Sequence, residues 1–531
     1  MGLGGLDHNG SACVVRGSYL DVFLEAERVT RAKNQALDSP EVVEALVKEL
    51  NVQHCDIDCI AIADRTWFNR SRVWLLPYLQ AYFPKARVSV HHHHVCHAAS
   101  AFYTSGLERA VFVTMDGKGD GLASMGGLAS HTDGIRPSVA VPSAHSIGRL
   151  WWAASEFAGM SGHHSAGKTM ALSASGEARY LAEMLQHVRF MPDGAFRFIP
   201  PSKYPDCFRR VPELVSWMER LTGVDRADVG PRHAAHMDIA ATVQGLTEAV
   251  VTHTVSALVN ANQERNVCLA GGVALNGLAN QRLIREDLVG RLFIPPYTDD
   301  RGLSIGAAAL VAARLHTPIF APEAGMTAFL GPPKVWASEL NPEFPVSYSG
   351  VEAIQQAAEV LRSGGVVAWF EGRDEAGPRA LGHRSLLASP TRIEIRERLN
   401  DTIKQREAWR PFGCSLLKES VGDWFDCYSD SPYMLRIAQV HPNKRNQIPA
   451  VIHADGTSRL HTVTITRDSR LHALLSHLVT LDHPPILLNT SLNGRGEPIV
   501  HTPSETFDFA KRAGLDAVMI EDTLFTREAL A

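Results

Sequence analysis

The sequence lacks several features that mark particular classes of protein. Its 531 residues contain no run of about 18 apolar residues, so we expect no bilayer-spanning helix. The eight cysteines are too dispersed for a disulfide scaffold, and we expect them to be reduced. The 52 basic and 57 acidic residues leave a net charge of −5, which gives no overall positive field for a nucleic-acid backbone. The first residues, MGLGGLDHNG, lack the basic and apolar segments of a secretory signal. These absences predict a cytoplasmic protein with no membrane and no nucleic-acid partner.

What is present is the composition of a globular enzyme, with 45% apolar and 21% charged residues. A chain of this length exceeds the roughly 250–300 residues that one core can serve, which predicts at least two domains. Short apolar runs such as IAIA, VFVTM, VCLA and VVAWF alternate with helical patterns, and this alternation indicates an α/β fold. The stretch from 316 to 350 is rich in proline and turn residues. We therefore predict two domains, residues 1–340 and 341–531.

Residues 162–169 read GHHSAGKT, which matches the phosphate-binding P-loop pattern. A P-loop follows a buried strand and opens a helix, whereas the preceding IGRLWWAASEFAGM has helical spacing. We interpret the match as accidental and keep Lys168 only as a candidate ligand residue.

Histidines and aspartates recur in a pattern typical of metal sites. In HHHHVCHAASAF, His93 and His97 are four residues apart and share one face of a predicted helix. Asp116 follows the apolar strand VFVTM, and Asp299 and Asp300 follow a second strand and open a glycine-rich helix. Two histidines with one or two aspartates suit Fe, Mn or Zn. A hydrogen-bonded polar cluster without a metal is the alternative.

Two further segments suggest anion binding. AGGVALN follows the strand VCLA, and this order of strand, glycine turn and helix brings backbone N–H groups towards nucleotide phosphates. Later, nine basic side chains occur between residues 371 and 410, and guanidinium groups match phosphate oxygens. Seven acidic side chains occur there too, so surface ion pairs are the alternative interpretation.

Four amino-terminal motifs together resemble those of a known family. HHxxHAxSAF, VxxxDGxGD, LAGGVALN and PPxxxDxG are similar to motifs of the carbamoyltransferases that act in nodulation and antibiotic synthesis. The resemblance implies an N-terminal duplicated domain of the actin-like ATPase superfold, similar to Kae1. It also implies the metal ligands His93, His97, Asp116 and Asp300, since counting back from Gly302 and Gly306 favours Asp300 over Asp299.

The same resemblance implies an ATP site at Gly271, Gly272 and Asn276. GKTMALSASG is similar to the family's E-x-K-x-M-G-L-A-P-Y-G, which adds Lys168 to the ATP ligands, although four family positions differ, at Gly167, Ala171, Ser173 and Ser175. LDHNGSACVV resembles a family hairpin in which Asn9 replaces an aspartate. An amide cannot act as a base, so His8 is predicted to be the base near the acceptor hydroxyl.

The carboxy-terminal motifs resemble the second domain of the same family, which is similar to the YrdC and Sua5 proteins. They are GPRALGxRS, NxxxKxRExxRPF, HxDGTxRxxTV and LLNTSxNxRGEPIVxTP. In HADGTSRLHTV, His461 replaces the family's glutamine. The carbamoyl phosphate ligands that the resemblance implies are Arg379, Arg384, Lys404 and Arg410, helped by Asn489, Ser491 and Arg495.

The resemblance implies an ATP-dependent O-carbamoyltransferase that moves the carbamoyl group of carbamoyl phosphate, through carbamoyl adenylate, to a hydroxyl of a small molecule. A secondary metabolite or antibiotic is the expected acceptor class, and Mg²⁺ is expected to accompany ATP. Two alternatives stay open, a tRNA threonylcarbamoyl-type transferase and a non-catalytic metal- or nucleotide-binding scaffold. A homodimer stays open as well.

Overall fold

The computed structural model describes residues 1–53, 55–71, 73–160, 162–203, 206–226, 230, 232–315, 328–334, 343–427 and 430–527. The chain divides into two compact units. The first unit takes Met1–Leu6, Val15–Tyr19 and His54–Ala321. The second takes Asp7–Val14, Leu20–Gln53 and Pro322–Ala531.

Within the described residues the chain forms 21 strands. They are β1 Gly2–Gly4, β2 Ser11–Arg16, β3 Tyr19–Glu25, β4 Cys59–Ala63, β5 Arg87–His91, β6 Arg109–Gly119, β7 Leu122–Ser130, β8 Gly134–Pro142, β9 Val188–Phe190, β10 Phe196–Phe198, β11 Asn266–Ala270, β12 Arg291–Phe293, β13 Val346–Ser349, β14 Val366–Phe370, β15 Arg384–Ala388, β16 Gly413–Leu417, β17 Arg436–Gln439, β18 Thr457–Val463, β19 Ile486–Ser491, β20 Ala517–Ile520 and β21 Thr523–Thr526.

The same residues form 17 α-helices. They are α1 Ala26–Thr30, α2 Pro40–Glu49, α3 Arg65–Ser71, α4 Leu75–Tyr82, α5 His93–Phe102, α6 Ile147–Phe157, α7 Ala166–Ser173, α8 Leu181–Gln186, α9 Val211–Thr222, α10 Ala234–Asn262, α11 Gly277–Arg285, α12 Leu303–Leu315, α13 Gly350–Arg362, α14 Ile393–Glu397, α15 Val421–Trp424, α16 Ser469–Thr480 and α17 Pro503–Ala513. In this part of the chain no helix is long and apolar enough to cross a membrane.

The first unit is built on parallel strands that place polar residues at their carboxyl ends. β1, β4 and β5 run parallel. In a second sheet, β6, β11 and β12 run parallel, and β7 and β8 extend this sheet antiparallel to β6. α5 and α12 pack closely, because a Cβ on Gly306 would lie 1.8 Å from the carbonyl oxygen of Cys96. This packing brings the start of α12 beside α5.

The second unit is organised by a nine-stranded mixed sheet of order β13-β21-β20-β14-β15-β19-β16-β18-β17. Successive side chains of a strand point to opposite faces, and β14 follows this rule. Val366, Ala368 and Phe370 enter one apolar core, while Val367 and Trp369 enter the other. Both faces of the sheet are therefore covered, and polar residues on its central strands are buried.

The predicted α/β class is confirmed, since helices and strands alternate along most of the described chain. The predicted helical context before GHHSAGKT is also confirmed, because α6 is the preceding regular element there. None of the eight cysteines forms a disulfide, as expected. The proline-rich stretch proposed as a boundary lies partly outside the described residues, and the boundary at residue 340 stays a prediction.

Candidate active site

Four buried or half-buried side chains converge in the first unit. The Nε2 atoms of His93 and His97 lie 3.1 Å apart on one face of α5. Asp116 Oδ2 is 3.2 Å and Asp300 Oδ1 is 3.3 Å from His97 Nε2. All four ligand atoms lie within 4.8 Å of one another. The structure therefore brings together the four residues that the sequence proposes as metal ligands.

Neighbouring groups hold these side chains in place. Asp116 Oδ1 accepts a hydrogen bond from the Gly117 amide at 2.6 Å, and its Oδ2 accepts one from the Gly272 amide at 3.0 Å. Asp64, at the end of β4, lies 3.5 Å from His93 Nδ1. Such partners orient metal-binding imidazoles and carboxylates. Sequence reasoning missed Asp64, although it follows the apolar strand IAIA as Asp116 follows VFVTM.

The charges of this cluster offset one another. Burial works against protonation of His93, but the carboxylates of Asp300, Asp116 and Asp64 raise its pKa well above the usual value. Burial likewise opposes ionisation of Asp116, yet the two histidines hold its pKa well below the usual range. Two imidazole nitrogens with two carboxylates make a donor set that fits a divalent Fe, Mn or Zn ion.

The glycine turn proposed for nucleotide binding touches this cluster. Gly271 has a φ of 88°, and a Cβ there would lie 2.2 Å from the carbonyl oxygen of Met115. Gly272 donates to Asp116, as described above. Asn276 caps α11. Its side-chain Nδ2 donates to Gln244 Oε1 at 2.9 Å, and its Oδ1 accepts from Gln244 Nε2 at 3.1 Å. The turn thus places the Gly272 N–H next to the metal-ligand cluster, while the Gly271 N–H donates to the carbonyl oxygen of Thr298 at 2.7 Å and Asn276 caps the helix that follows.

The P-loop lookalike is placed differently. Its threonine, Thr169, is buried on α7 with its hydroxyl 2.6 Å from that of Ser155 and 3.3 Å from the carbonyl oxygen of Ser165. Lys168 is half-buried on the same helix. The hydroxyl that would bind Mg²⁺ in a P-loop is thus already bonded within the protein.

His8 lies in the second unit, just before β2, whereas the four predicted metal ligands lie in the first. Asn9 has a left-handed φ of 53°, which asparagine adopts more readily than most residues. The backbone N–H of Asn9 donates to the carbonyl oxygen of Asn34 at 3.1 Å. A catalytic role for His8 stays a prediction.

The second unit gathers positive side chains around the middle of its sheet. Gly413 on β16 lies opposite Arg459 on β18 and opposite Asn489 on β19. The Asn489 amide nitrogen donates at 3.3 Å to the carbonyl oxygen of Ala380, which is the residue after Arg379. Burial, followed by the charges of Arg379 and Arg410, lowers the pKa of Arg459 well below the usual value. Arg459, which sequence reasoning left unassigned within HADGTSRLHTV, therefore joins the two predicted ligands.

Lys404 follows a π-helical turn, Arg398–Ile403, that continues α14. Its ammonium group donates to the carbonyl oxygen of Ser491 and to Asn493, at 2.7 Å to Oδ1 and 3.0 Å to the carbonyl oxygen. Burial, followed by the charges of Arg406, Lys33 and Arg410, lowers its pKa well below the usual value. Lys404 thus adds positive charge near Ser491 and fixes the segment from Ser491 to Asn493.

Two other predicted ligands have different surroundings. Arg384 is fully buried, stacks 3.5 Å above the ring of Phe370, and pairs with Asp374 at 2.6 Å. It also donates to the carbonyl oxygen of Glu371 at 2.6 Å. Arg495 is exposed in the loop after β19. Arg384 therefore has protein partners that hold its loop in place, and the structure does not bury Arg495.

Two protein-family models match this chain, and each covers one of the two clusters described above. Residues 80–309 match the family described as Carbamoyltransferase N-terminus, and residues 358–527 match Carbamoyltransferase C-terminus. Nodulation protein NolO of Bradyrhizobium diazoefficiens is 31% identical over 442 residues, covering 81% of this chain and 77% of NolO. Nodulation protein NolNO of Sinorhizobium fredii is 28% identical, covering 98% of this chain and 79% of NolNO.

The uncharacterized protein sll1178 of Synechocystis is 29% identical and spans the whole of this chain and 97% of its own length. The similarity to these relatives is thus not confined to one region. Because both halves of the family match in order and NolO is similar over most of its length, this chain belongs to the carbamoyltransferase family and is a carbamoyltransferase.

Proposed function

We propose that the protein is an ATP-dependent O-carbamoyltransferase acting on a small molecule. Water cleaves carbamoyl phosphate to carbamate and phosphate, and a carbamate oxygen attacks the α-phosphorus of ATP, with pyrophosphate leaving. The acceptor hydroxyl then attacks the carbamoyl carbon, AMP leaves, and the hydroxyl proton passes to a base. Forming a mixed anhydride first splits one hard substitution into two easier steps.

The observation that carries the proposal is the arginine cluster of the second unit. Burial, followed by the charges of Arg379 and Arg410, lowers the pKa of Arg459, which means that Arg459 lies near both guanidinium groups and is repelled by them. A phosphoryl anion relieves that repulsion and accepts hydrogen bonds from guanidinium groups. We place carbamoyl phosphate there, with Lys404 adding charge and Ser491 and Arg495 as further ligands.

The first unit supplies the groups for the transfer half of the reaction. We propose that Gly271 and Gly272 receive nucleotide phosphates, and that Lys168 on α7 and Asn276 at the start of α11 are further ATP ligands. His93, His97, Asp116 and Asp300 would hold a divalent ion, which when bound would stabilise negative charge on a phosphate or carbonyl oxygen. We propose His8 as the base for the acceptor hydroxyl, and a Kae1-like and a YrdC-like domain as the folds that carry the two halves.

The proposal is tested by pyrophosphate release from ATP and carbamoyl phosphate. Wild-type protein should release pyrophosphate only when both substrates are present, and Arg379→Ala should reduce the rate by at least about 100-fold. Arg392→Ala is the matched control, since Arg392 is an exposed arginine at the start of α14. No pyrophosphate from wild-type protein would instead support a non-catalytic scaffold.

A further inference from the structure

The side-chain amide of Asn489 is held by two polar neighbours. Asn489 is buried at 1% exposure. Its Nδ2 donates to Ser415 Oγ at 2.8 Å and to the carbonyl oxygen of Ala380 at 3.3 Å. Its Oδ1 is buried, and no donor among the described residues reaches it. One end of the amide is therefore bonded within the protein, and the other is an open acceptor.

The orientation of this amide follows from its surroundings. A carbonyl oxygen can only accept, so the end of Asn489 that faces Ala380 must be the NH₂ group. Because Nδ2 also donates to Ser415, the Ser415 hydroxyl proton is directed to His461 Nδ1, 2.8 Å away. Burial lowers the pKa of His461 to about 3, so its ring is neutral and Nδ1 is able to accept. The chain of donors runs in one direction, from Asn489 through Ser415 to His461.

Asn489 Oδ1 is a buried acceptor without a partner among the described residues, and Arg459 lies in line with Asn489 across β16. This combination favours a particular kind of ligand. The oxygens of a phosphate repel a carbonyl oxygen, so Asn489 Oδ1 is poorly suited to an anion. The carbamoyl group carries an NH₂ donor, which suits it. Resting on the proposed function above, we propose that Asn489 determines specificity by accepting a hydrogen bond from the carbamoyl NH₂ group, while Arg379, Arg410 and Arg459 bind the phosphate.

The proposal predicts discrimination between two acyl phosphates. Acetyl phosphate has the same phosphate and carbonyl groups but a methyl group in place of NH₂, which would leave Asn489 Oδ1 buried without a partner. Sites that bond a ligand N–H reject analogues that lack it, because the buried acceptor stays unsatisfied. Inorganic phosphate should depend on the arginines alone.

The experiment measures binding of three probes to the full-length protein. They are carbamoyl phosphate, through its KM in pyrophosphate release, and acetyl phosphate and inorganic phosphate, through their inhibition constants. Wild-type protein should bind carbamoyl phosphate at least about 30-fold more tightly than acetyl phosphate. Asn489→Ala should weaken the binding of carbamoyl phosphate about tenfold. The binding of acetyl phosphate and of inorganic phosphate should stay within about twofold of wild type. Ser415→Ala removes one hydrogen bond that holds the Asn489 side chain but keeps Asn489 itself, so it should weaken the binding of carbamoyl phosphate about threefold.

An unchanged inhibition constant for phosphate shows that each variant is folded. The ratio of the KM for carbamoyl phosphate to the inhibition constant for acetyl phosphate does not depend on the amount of active protein. Equal weakening of all three probes by Asn489→Ala would show that Asn489 holds the anion and would overturn the inference. Equal binding of the two acyl phosphates by wild-type protein would also overturn it. If wild-type protein binds phosphate but does not turn over carbamoyl phosphate, the proposed function itself fails.

Discussion

The two units bury ionisable groups in opposite ways. In the first unit, imidazoles and carboxylates meet, so the pKa of His93 is raised and that of Asp116 is lowered. In the second unit, positive groups meet one another, and the pKa values of Arg459 and Lys404 are both lowered by burial and by neighbouring cations. Burial penalises charge in both places, but the main neighbouring charges of His93 and Asp116 are opposite in sign, whereas those that lower the pKa values of Arg459 and Lys404 are of the same sign. The first cluster therefore suits a cation, which needs converging donor atoms, and the second suits an anion, which relieves repulsion.

The largest effect should come from breaking the cation site. We expect Asp300→Asn to weaken metal binding at least about 100-fold, because it removes a charged ligand, whereas changes in outer partners alone cost about 10–100-fold. Metal content after gel filtration and the affinity for Zn²⁺ or Mn²⁺ measure this effect.

The adjacent Asp299 is the matched control for that substitution. Its carboxylate accepts from the Arg301 amide at 3.2 Å and pairs with the Arg301 guanidinium. Asp299→Asn should therefore keep the metal. Loss of metal from Asp299→Asn alone would show that the wrong aspartate of the pair has been assigned.

A smaller effect is expected from reducing positive charge in the anion site. Arg459→Gln should weaken inhibition by inorganic phosphate about 10- to 50-fold, because one buried charge-assisted partner is lost. Arg495→Gln should weaken it less than about threefold, since Arg495 is exposed and solvent screens its charge. The reverse ranking would move the anion site towards the loop after β19. Isothermal titration with phosphate measures the phosphate affinity of both variants.

Local sequence rules predicted the first cluster better than the second. The four candidate metal ligands could be brought together from the sequence because helical spacing pairs His93 with His97 and strand ends collect aspartates. The same strand-end rule also applies to Asp64, which directly follows β4 and was missed. Short-range periodicity was enough wherever each ligand occupies a standard position on its own element.

The second cluster depends on strand order and register, which local patterns do not encode. Gly413 stands between Arg459 and Asn489 only because β16 pairs with β18 on one side and β19 on the other. The sequence likewise identified Arg384 by its motif, but the partners that bury it are Phe370, at the end of β14, and Asp374, in the loop that follows. The grouping of residues 20–53 with the second unit also cannot be read from chain order.

The third prediction concerns acid sensitivity of the second unit. The pKa of buried His461 is lowered to about 3 from an ordinary value near 6.5, so the unfolded chain binds its proton more readily. The stability that depends on neutral His461 is present above about pH 6.5 and is lost as the pH falls towards the folded-state value. Replacing His461 with the non-titrating glutamine should therefore remove about 2 kcal/mol of the stability lost between pH 7 and pH 5.

Urea unfolding of His461→Gln and wild-type protein at the two pH values measures that difference. His477→Gln is the matched control, because His477 is half-buried on α16 and has a polar contact with Thr480 of the same helix. An identical acid loss in all three proteins would mean that His461 is protonated in the folded state, which would also remove the acceptor for Ser415.

The smallest effect is expected at the P-loop lookalike, and there a null result is informative. In a P-loop the threonine hydroxyl coordinates the Mg²⁺ that accompanies the nucleotide, so its loss is costly. Thr169 instead bonds Ser155 and the carbonyl oxygen of Ser165, and α6 rather than a strand precedes it. Thr169→Ser keeps these bonds and Thr169→Val removes them, so Thr169→Val should lower thermal stability slightly while ATP affinity stays within about twofold of wild type. A loss of ATP affinity of about 100-fold in Thr169→Val but not in Thr169→Ser would place the nucleotide phosphates at α7 and away from the glycine turn at Gly271, because only a coordinating hydroxyl distinguishes the two variants in that way.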